Sequence, residues 1–217
     1  MLKKIMIVPW FGPYPSWLDQ WVANMEYLKP MGYDYKIYSN LELFKERAKE
    51  ILGVKVAVKY RTGKVWDLRP AFGLLFPEEI GGYDYWGHTD FDCLYGDIES
   101  FISDEELSAC DIWSNDIGNV CGPWSLYKNT ELVNNAFKLN PSWKMMFESS
   151  LVEGWEEGGF STTADKYLKM CYNHLQTKDQ DNFDTLNFDK GKLYEGEQEI
   201  MMAHFRRVKQ WPRQIQF

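Results

Sequence analysis

Residues Lys4 to Val8 form a short, continuous apolar run that stops at Pro9. Such a run suits a strand buried on both faces, the kind found in parallel sheets. Downstream, Trp17, Leu18, Trp21, Val22, Met25 and Leu28 recur at helical spacing and end at Pro30. Tyr33 to Tyr38 reads as a second strand and Leu41 to Leu52 as a helix with Gly53 beyond it. Val54 to Tyr60 alternates and reads as a third strand. Asp67 opens a helix through Phe76 with Pro70 near its first turn, and Tyr83 to Thr89 is a further strand. Strands alternating with helices predict an α/β sheet.

Beyond Gly96 the pattern loosens. Asp97 to Leu107 reads as a helical excursion, and Ile112 to Tyr127 mixes strand-like and glycine-rich pieces. Glu131 to Leu139 and Thr163 to Leu175 read as helices, Thr177 to Lys192 as a polar loop, and Ile200 to Trp211 as a tail. The 217 residues are expected to form one domain, 1–217, with room for its being a catalytic domain excised from a larger protein.

In α/β sheets ligands sit outside the C-terminal ends of the strands. Pro9 to Gly12, Ser39-Asn40 and Asp90-Phe91-Asp92 all lie at such ends, so one crevice is expected to collect them. The last segment carries the most chemistry. An aromatic run, Tyr83-Asp84-Tyr85-Trp86-Gly87-His88-Thr89, ends in two carboxylates one residue apart. If the strand turns after Asp90, both can converge on one divalent cation, and hard cations combine one or two carboxylates with substrate phosphates.

The net charge of −8 argues against a nucleic-acid backbone as partner. A phosphate-bearing small molecule is compatible with it, because a bound cation reverses the local field. Cys93, Cys110, Cys121 and Cys171 show no metal-type spacing and read as reduced, buried thiols of a cytoplasmic, reducing compartment. The N-terminal apolar run is too short for a signal peptide, and no segment is long enough to span a bilayer.

Several segments in order resemble the GT-A glycosyltransferases that use nucleotide-sugar donors, in particular small members from polysaccharide and surface-glycan clusters of bacteria and large viruses. They are Ile7-Val8-Pro9-Trp10-Phe11-Gly12, Asp67-Leu68-Arg69-Pro70-Ala71-Phe72-Gly73, Gly82 to Asp92, Gly96-Asp97-Ile98 and Gly122-Pro123-Trp124-Ser125-Leu126-Tyr127-Lys128-Asn129. The resemblance implies a mixed, mainly parallel, Rossmann-like sheet flanked by helices. It implies transfer of a sugar from a UDP-sugar, UDP-glucose first, to a glycan hydroxyl. Asp90 and Asp92 would hold Mn²⁺ or Mg²⁺ on the diphosphate, with His204 completing the metal shell and Lys209 binding the diphosphate. Arg206 or Arg207 are the substitutes for Lys209. Pro9, Trp10 and Phe11 would line the nucleoside site, Ser39 and Asn40 would touch base or ribose, and Arg69 would face the diphosphate or donor sugar. The late His and Lys tilt the reading towards retention.

Trp124, after Gly122-Pro123, reads as a loop aromatic suited to an acceptor sugar. Glu153, Glu156, Glu157 and Asp165 surround a glycine-rich, loop-like segment. Glu156 or Glu157 would act as the base of an inverting enzyme, or hold donor sugar or acceptor in a retaining one. Blander readings stand beside these: Asp92 as a cap, His88 as a core or supporting histidine, His174 as a surface residue, His204 as a histidine packed beside Phe205, Trp10, Trp86 and Trp124 as core aromatics, and the basic tail as a solvated helix end. Two rival functions are a sugar-binding module without turnover and a phosphatase of the haloacid dehalogenase type. The second is disfavoured by the motif's late position and by Leu94. A calcium loop starting at Asp90 fails at Tyr95 and Phe101.

Overall fold

The computed structural model describes residues 1–120, 122–172, 177–179 (backbone only) and 185–205. Its strands are, in chain order, β1 (Lys4–Pro9), β2 (Tyr33–Tyr38), β3 (Tyr85–Thr89), β4 (Cys93–Tyr95), β5 (Ile112–Ser114), β6 (Trp124–Lys128), β7 (Met170–Tyr172), β8 (Thr177–Asp179), β9 (Leu186–Asp189), β10 (Lys192–Glu195), β11 (Gln198–Ile200) and β12 (Met202–His204). Six of them form the central sheet, in the order β2-β1-β3-β6-β5-β7. β1 runs parallel to β2 and β3, and β5 parallel to β7, while β6 is antiparallel to both of its neighbours. This is the α/β sheet that the alternating pattern predicts, and the mixed, mainly parallel form that the resemblance implies.

The apolar run that opens the chain is explained by where β1 lies. Ile5 and Ile7 point into one core, with Trp86, Ile112 and Tyr127, and Met6 and Val8 point into the other, with Tyr85, Trp113 and Trp124. Both faces are covered, so alternation disappears. Helix α1 (Leu18–Leu28) is fastened to β4 by Asn24, whose amide nitrogen donates to Tyr95 O at 2.8 Å and whose oxygen accepts from Tyr95 N at 2.8 Å. Helix α2 (Leu41–Leu52) starts where the Asn40 side chain accepts from Leu43 N, and stops at Gly53, whose φ of 67° suits glycine.

Several expectations fail, among them the helix from Asp67 through Phe76, which is a 3₁₀ stretch, Gly63–Ala71, followed by a short helix, Phe72–Leu75. Val54 to Tyr60 is not a strand: it passes from a bend through irregular backbone into a turn at Tyr60, and pairs with no strand among the described residues. Val54, Val56 and Val58 are buried while Lys55 and Lys59 are exposed, so the period of two reports burial, and Ala57 N donates to Phe147 O instead. The helix expected over 163–175 spans Ser161–Tyr167, after which Met170–Tyr172 joins the sheet edge as β7. The polar stretch from Thr177 contains β8, β9 and a β9–β10 hairpin, turned by Lys190 (φ 48°) and Gly191 (φ 84°), the two positive φ values a tight hairpin needs. Lastly, Cys110 and Cys171 are not thiols. They form a disulfide, with Cα atoms 5.8 Å apart, that ties β7 to the segment before β5, and this removes the sequence argument for a reducing compartment. No described helix is long and apolar enough to cross a membrane.

Candidate functional site

The C-terminal ends of β1, β2, β3 and β5 and the start of β6 share one edge, since Thr89 stands opposite Trp124 in register. The Asp-Phe-Asp segment leaves β3 there. Its middle residue is the anchor: Phe91 is buried, with ring centroids 4.8 Å from Trp21, 5.1 Å from Trp10 and 6.2 Å from Tyr14, all edge-on. Two α1-side indoles hold the backbone, Trp21 Nε1 donating to Asp90 O at 3.2 Å and Trp17 Nε1 to Phe91 O at 2.7 Å.

Arg69 comes from a 3₁₀ stretch, Gly63–Ala71. Its Nη1 donates to Gly122 O at 2.5 Å and to Glu156 Oε1 at 2.8 Å, and its Nη2 donates to Asp90 Oδ1. One buried guanidinium thus joins the β3 end, the β6 approach and the 156–160 turn. Burial alone would lower the Arg69 pKa, but the Asp90 and Glu156 carboxylates outweigh it and raise it. Burial holds the Asp90 carboxyl above its ordinary range; Arg69 pulls it down and Asp92 pushes it up. Burial likewise pushes Glu156 to about 8 against the pull of Arg69, with Glu157 adding repulsion. Glu156 Oε2 has no hydrogen-bond partner among the described residues.

Glu156 sits where it does because of Asp67. The Asp67 carboxylate accepts from Lys64 Nζ at 2.8 Å, Glu153 N at 3.0 Å and Trp155 N at 2.7 Å, which pins the chain just before Glu156. Glu156–Phe160 then makes a π-helical turn, not a loop, running into the 161–167 helix. Such turns recur at functional sites. Glu157 is exposed and accepts from Gly122 N at 3.0 Å, so Gly122 is held from both sides.

Asp92 lies beside β12. β12 lies antiparallel to β4 with His204 opposite Cys93, and His204 Nε2 is 3.6 Å from Asp92 Oδ1. Ligand atoms of Asp92, Cys93 and His204 all lie within 4.8 Å of one another. A carboxylate and an imidazole clustered beside the second carboxylate of Asp90 fit a divalent cation, which would relieve the mutual repulsion of Asp90 and Asp92.

A pocket opens beside Asp90, lined by Pro9, Trp10, Val65, Trp66, Arg69, Phe72 and Phe91 among others. Pro9, Trp10, Arg69 and Asp90 therefore converge. Phe11 does not line it; its ring is in the core, 5.2 Å from Phe44. Ser39 and Asn40 are exposed at the end of β2, and the Asn40 oxygen already caps α2. The loop-aromatic reading of Trp124 is wrong: it is 1% exposed, inside β6, and packs edge-on to Trp113 at 5.3 Å, because β6 begins immediately after Pro123. His88 is buried beside Tyr127, a core histidine as expected. His174, Arg206, Arg207 and Lys209 lie outside the described residues.

Sequence reasoning missed Trp66, 44% exposed with the Arg69 guanidinium 5.9 Å from its ring, because nothing in the pattern announces a 3₁₀ turn there. It also missed Cys93, whose signal was only its place directly after Asp92.

Residues 6–211 match a family described as of unknown function (DUF6625), and the chain belongs to that family. No curated protein matches it. Among solved structures it is similar to a glycosyltransferase involved in the glycosylation of the major capsid of PBCV-1. The TM-score is 0.54 and the identity 9%, over 94% of this chain and 96% of that one. It is also similar to galactosyltransferase LgtC in complex with donor and acceptor sugar analogues, with TM-score 0.50 and 11% identity, over 94% and 87%. The fold is that of the GT-A glycosyltransferases.

Proposed function

We propose that the chain is a metal-dependent glycosyltransferase that moves a hexosyl or deoxyhexosyl unit from a UDP-sugar, UDP-glucose first, to a glycan hydroxyl with retention. The observation that carries this is the Asp90–Arg69–Glu156 network, of which Asp90 and Arg69 line an aromatic pocket, with Asp92 and His204 alongside. The shared fold supports the reaction class, as do the activities printed for the two similar structures.

Trp10, Trp66 and Pro9 would enclose the nucleoside. Asp92 and His204, with the Asp90 carboxylate alongside, would hold a divalent cation, which when bound neutralises the diphosphate and the charge on its departing oxygen. Lys209 would add a cation to the same diphosphate. Arg69 is spoken for on three sides, so its part is to fix Asp90 and Glu156 while presenting its remaining N–H groups to the donor. With its pKa near 8, Glu156 keeps a proton at neutral pH, so it would donate a hydrogen bond to a sugar hydroxyl instead of taking a proton from one. That favours retention over an inverting base. Glu157, exposed beside Gly122, would face the acceptor.

The test is calorimetric titration of a UDP-sugar panel, with and without Mn²⁺, on the wild type and Asp92→Ala. Metal-dependent binding of one or two sugars, lost in the variant, supports the donor site. No binding to any of them in the presence of metal returns the reading to a module without turnover.

A further inference from the structure

We propose that Cys93 is a third protein ligand of the cation site, and that the site therefore takes a thiophilic cation, Zn²⁺ or Co²⁺, in preference to Mg²⁺. The argument is geometric. Cys93 and His204 are directly opposed on antiparallel β4 and β12, so their side chains share a face. Phe205 N donates to Asp92 O at 2.8 Å, which locks that register and sets Asp92 beside the pair. The three ligand atoms then fall within 4.8 Å of one another, close enough to meet on one ion.

The surroundings suit a metal-bound sulfur. Cys93 is fully buried, while the Asp92 and His204 side chains retain 14% and 12% exposure, so an ion can enter from their side. The Cys93 thiol donates to Pro123 O at 3.8 Å, a long hydrogen bond that metal ligation would replace. The obvious rival for the third position is Asp90, but its Oδ1 already accepts from Arg69.

A sulfur, an imidazole and a carboxylate select borderline and soft cations over Mg²⁺, which prefers an all-oxygen shell. On binding, the sulfur–metal bond forms as the thiol proton passes to water. Three protein ligands with one position open is the arrangement of a reactive zinc site, not a closed structural one. That the open position receives a diphosphate oxygen rests on the glycosyltransferase reading; the ligand set does not.

The experiment is titration of the purified chain with Co²⁺ alone, followed by near-ultraviolet and visible absorption, then displacement with Zn²⁺ or Mg²⁺. A sulfur-to-cobalt charge-transfer band is expected in the wild type, displaced by Zn²⁺ and not by Mg²⁺. It should vanish in Cys93→Ala and Cys93→Ser, with Zn²⁺ affinity down by at least about tenfold. Co²⁺ bound with oxygen–nitrogen spectra only, or not bound at all, overturns the proposal. If the buried Cys93 variants fail to fold, the wild-type spectrum still decides, and His204→Gln should weaken the band. A band without nucleotide-sugar binding keeps this site and removes the donor-site reading. Nucleotide-sugar binding without a band does the reverse.

Discussion

Arg69 Nη1 donates to Glu156 Oε1 at 2.8 Å, with the two side chains 6% and 4% exposed, and the same guanidinium pairs with Asp90. Removing the cation would leave the Asp90 carboxylate without its partner and Glu156 without its donor. Arg69→Ala is expected to cost about 3–5 kcal/mol, the range for stripping one partner from a buried pair. Arg69→Lys keeps the charge but lacks the planar fork that reaches Gly122, Glu156 and Asp90 together, so it should recover only part of the loss. Urea unfolding of the three proteins measures this; an unchanged midpoint in Arg69→Ala would remove the network as a source of stability.

Glu156 makes stability depend on pH in an unusual direction. Its folded pKa is about 8, above its ordinary value of 4.5, so between those limits the folded chain holds a proton that the unfolded chain has released. Stability from this group is therefore fully present at low pH and is lost as pH rises through about 8. Glu156→Gln mimics the protonated side chain. Its stability relative to the wild type should increase from about pH 5 to about pH 9, and its transfer rate should lose the wild type's decline at alkaline pH. A parallel pair of stability curves would contradict the assignment.

The legible part of this fold was local. The unbroken Lys4–Val8 run and the Gly53 stop are written in adjacent residues, and β1 and α2 fall where they point. Non-local facts were not legible. Val54 to Val58 alternates because one side packs on a core, and only the backbone partner, Phe147, reveals that it is no strand. The Cys110–Cys171 bridge joins residues brought together only when β7 pairs with β5. The same holds at the site. Asp90 and Asp92 announced themselves by spacing, but Arg69 acquired its role from Glu156 and Gly122, and Trp124 lost its role because a strand begins where a loop was expected.

Phe91 acts as the peg that aims its two neighbours. Phe91→Ala would open a cavity between Trp10, Tyr14 and Trp21 and should cost about 3–5 kcal/mol. With Asp90 and Asp92 still present, metal affinity should fall as well, because their backbone would no longer be pinned. Phe91→Leu should restore much of both. Calorimetric titration with Mn²⁺ alongside urea unfolding separates these effects; metal affinity untouched in Phe91→Ala would show that the aromatic peg does not aim the carboxylates.

Trp66 and Trp10 flank the pocket with different duties. Trp66 is 44% exposed, so Trp66→Ala should leave the unfolding midpoint nearly unchanged. If it stacks on the nucleobase, UDP affinity should drop by the roughly 1–3 kcal/mol that a base–aromatic stack contributes. Trp10 also packs on Phe91 and donates to Pro13 O, so Trp10→Ala should lose stability and affinity together. Equal UDP affinity in wild type and Trp66→Ala would move the base elsewhere.

The disulfide is the last testable feature, and the sequence alone argued against it. Cys110 and Cys171 close a loop with a sequence separation of 61 residues. Restricting an unfolded chain over that length is expected to contribute about 2–4 kcal/mol. Peptide mapping without reductant should recover the Cys110 and Cys171 peptides joined. Thermal unfolding should shift down on adding reductant, and the double variant Cys110→Ala/Cys171→Ala should melt at the reduced protein's temperature and stop responding to reductant. Because β7 is the edge strand that the bridge fastens, its amides should lose hydrogen-exchange protection before those of β1. Separate peptides in the map, from protein purified without reductant, would return both cysteines to the thiol state.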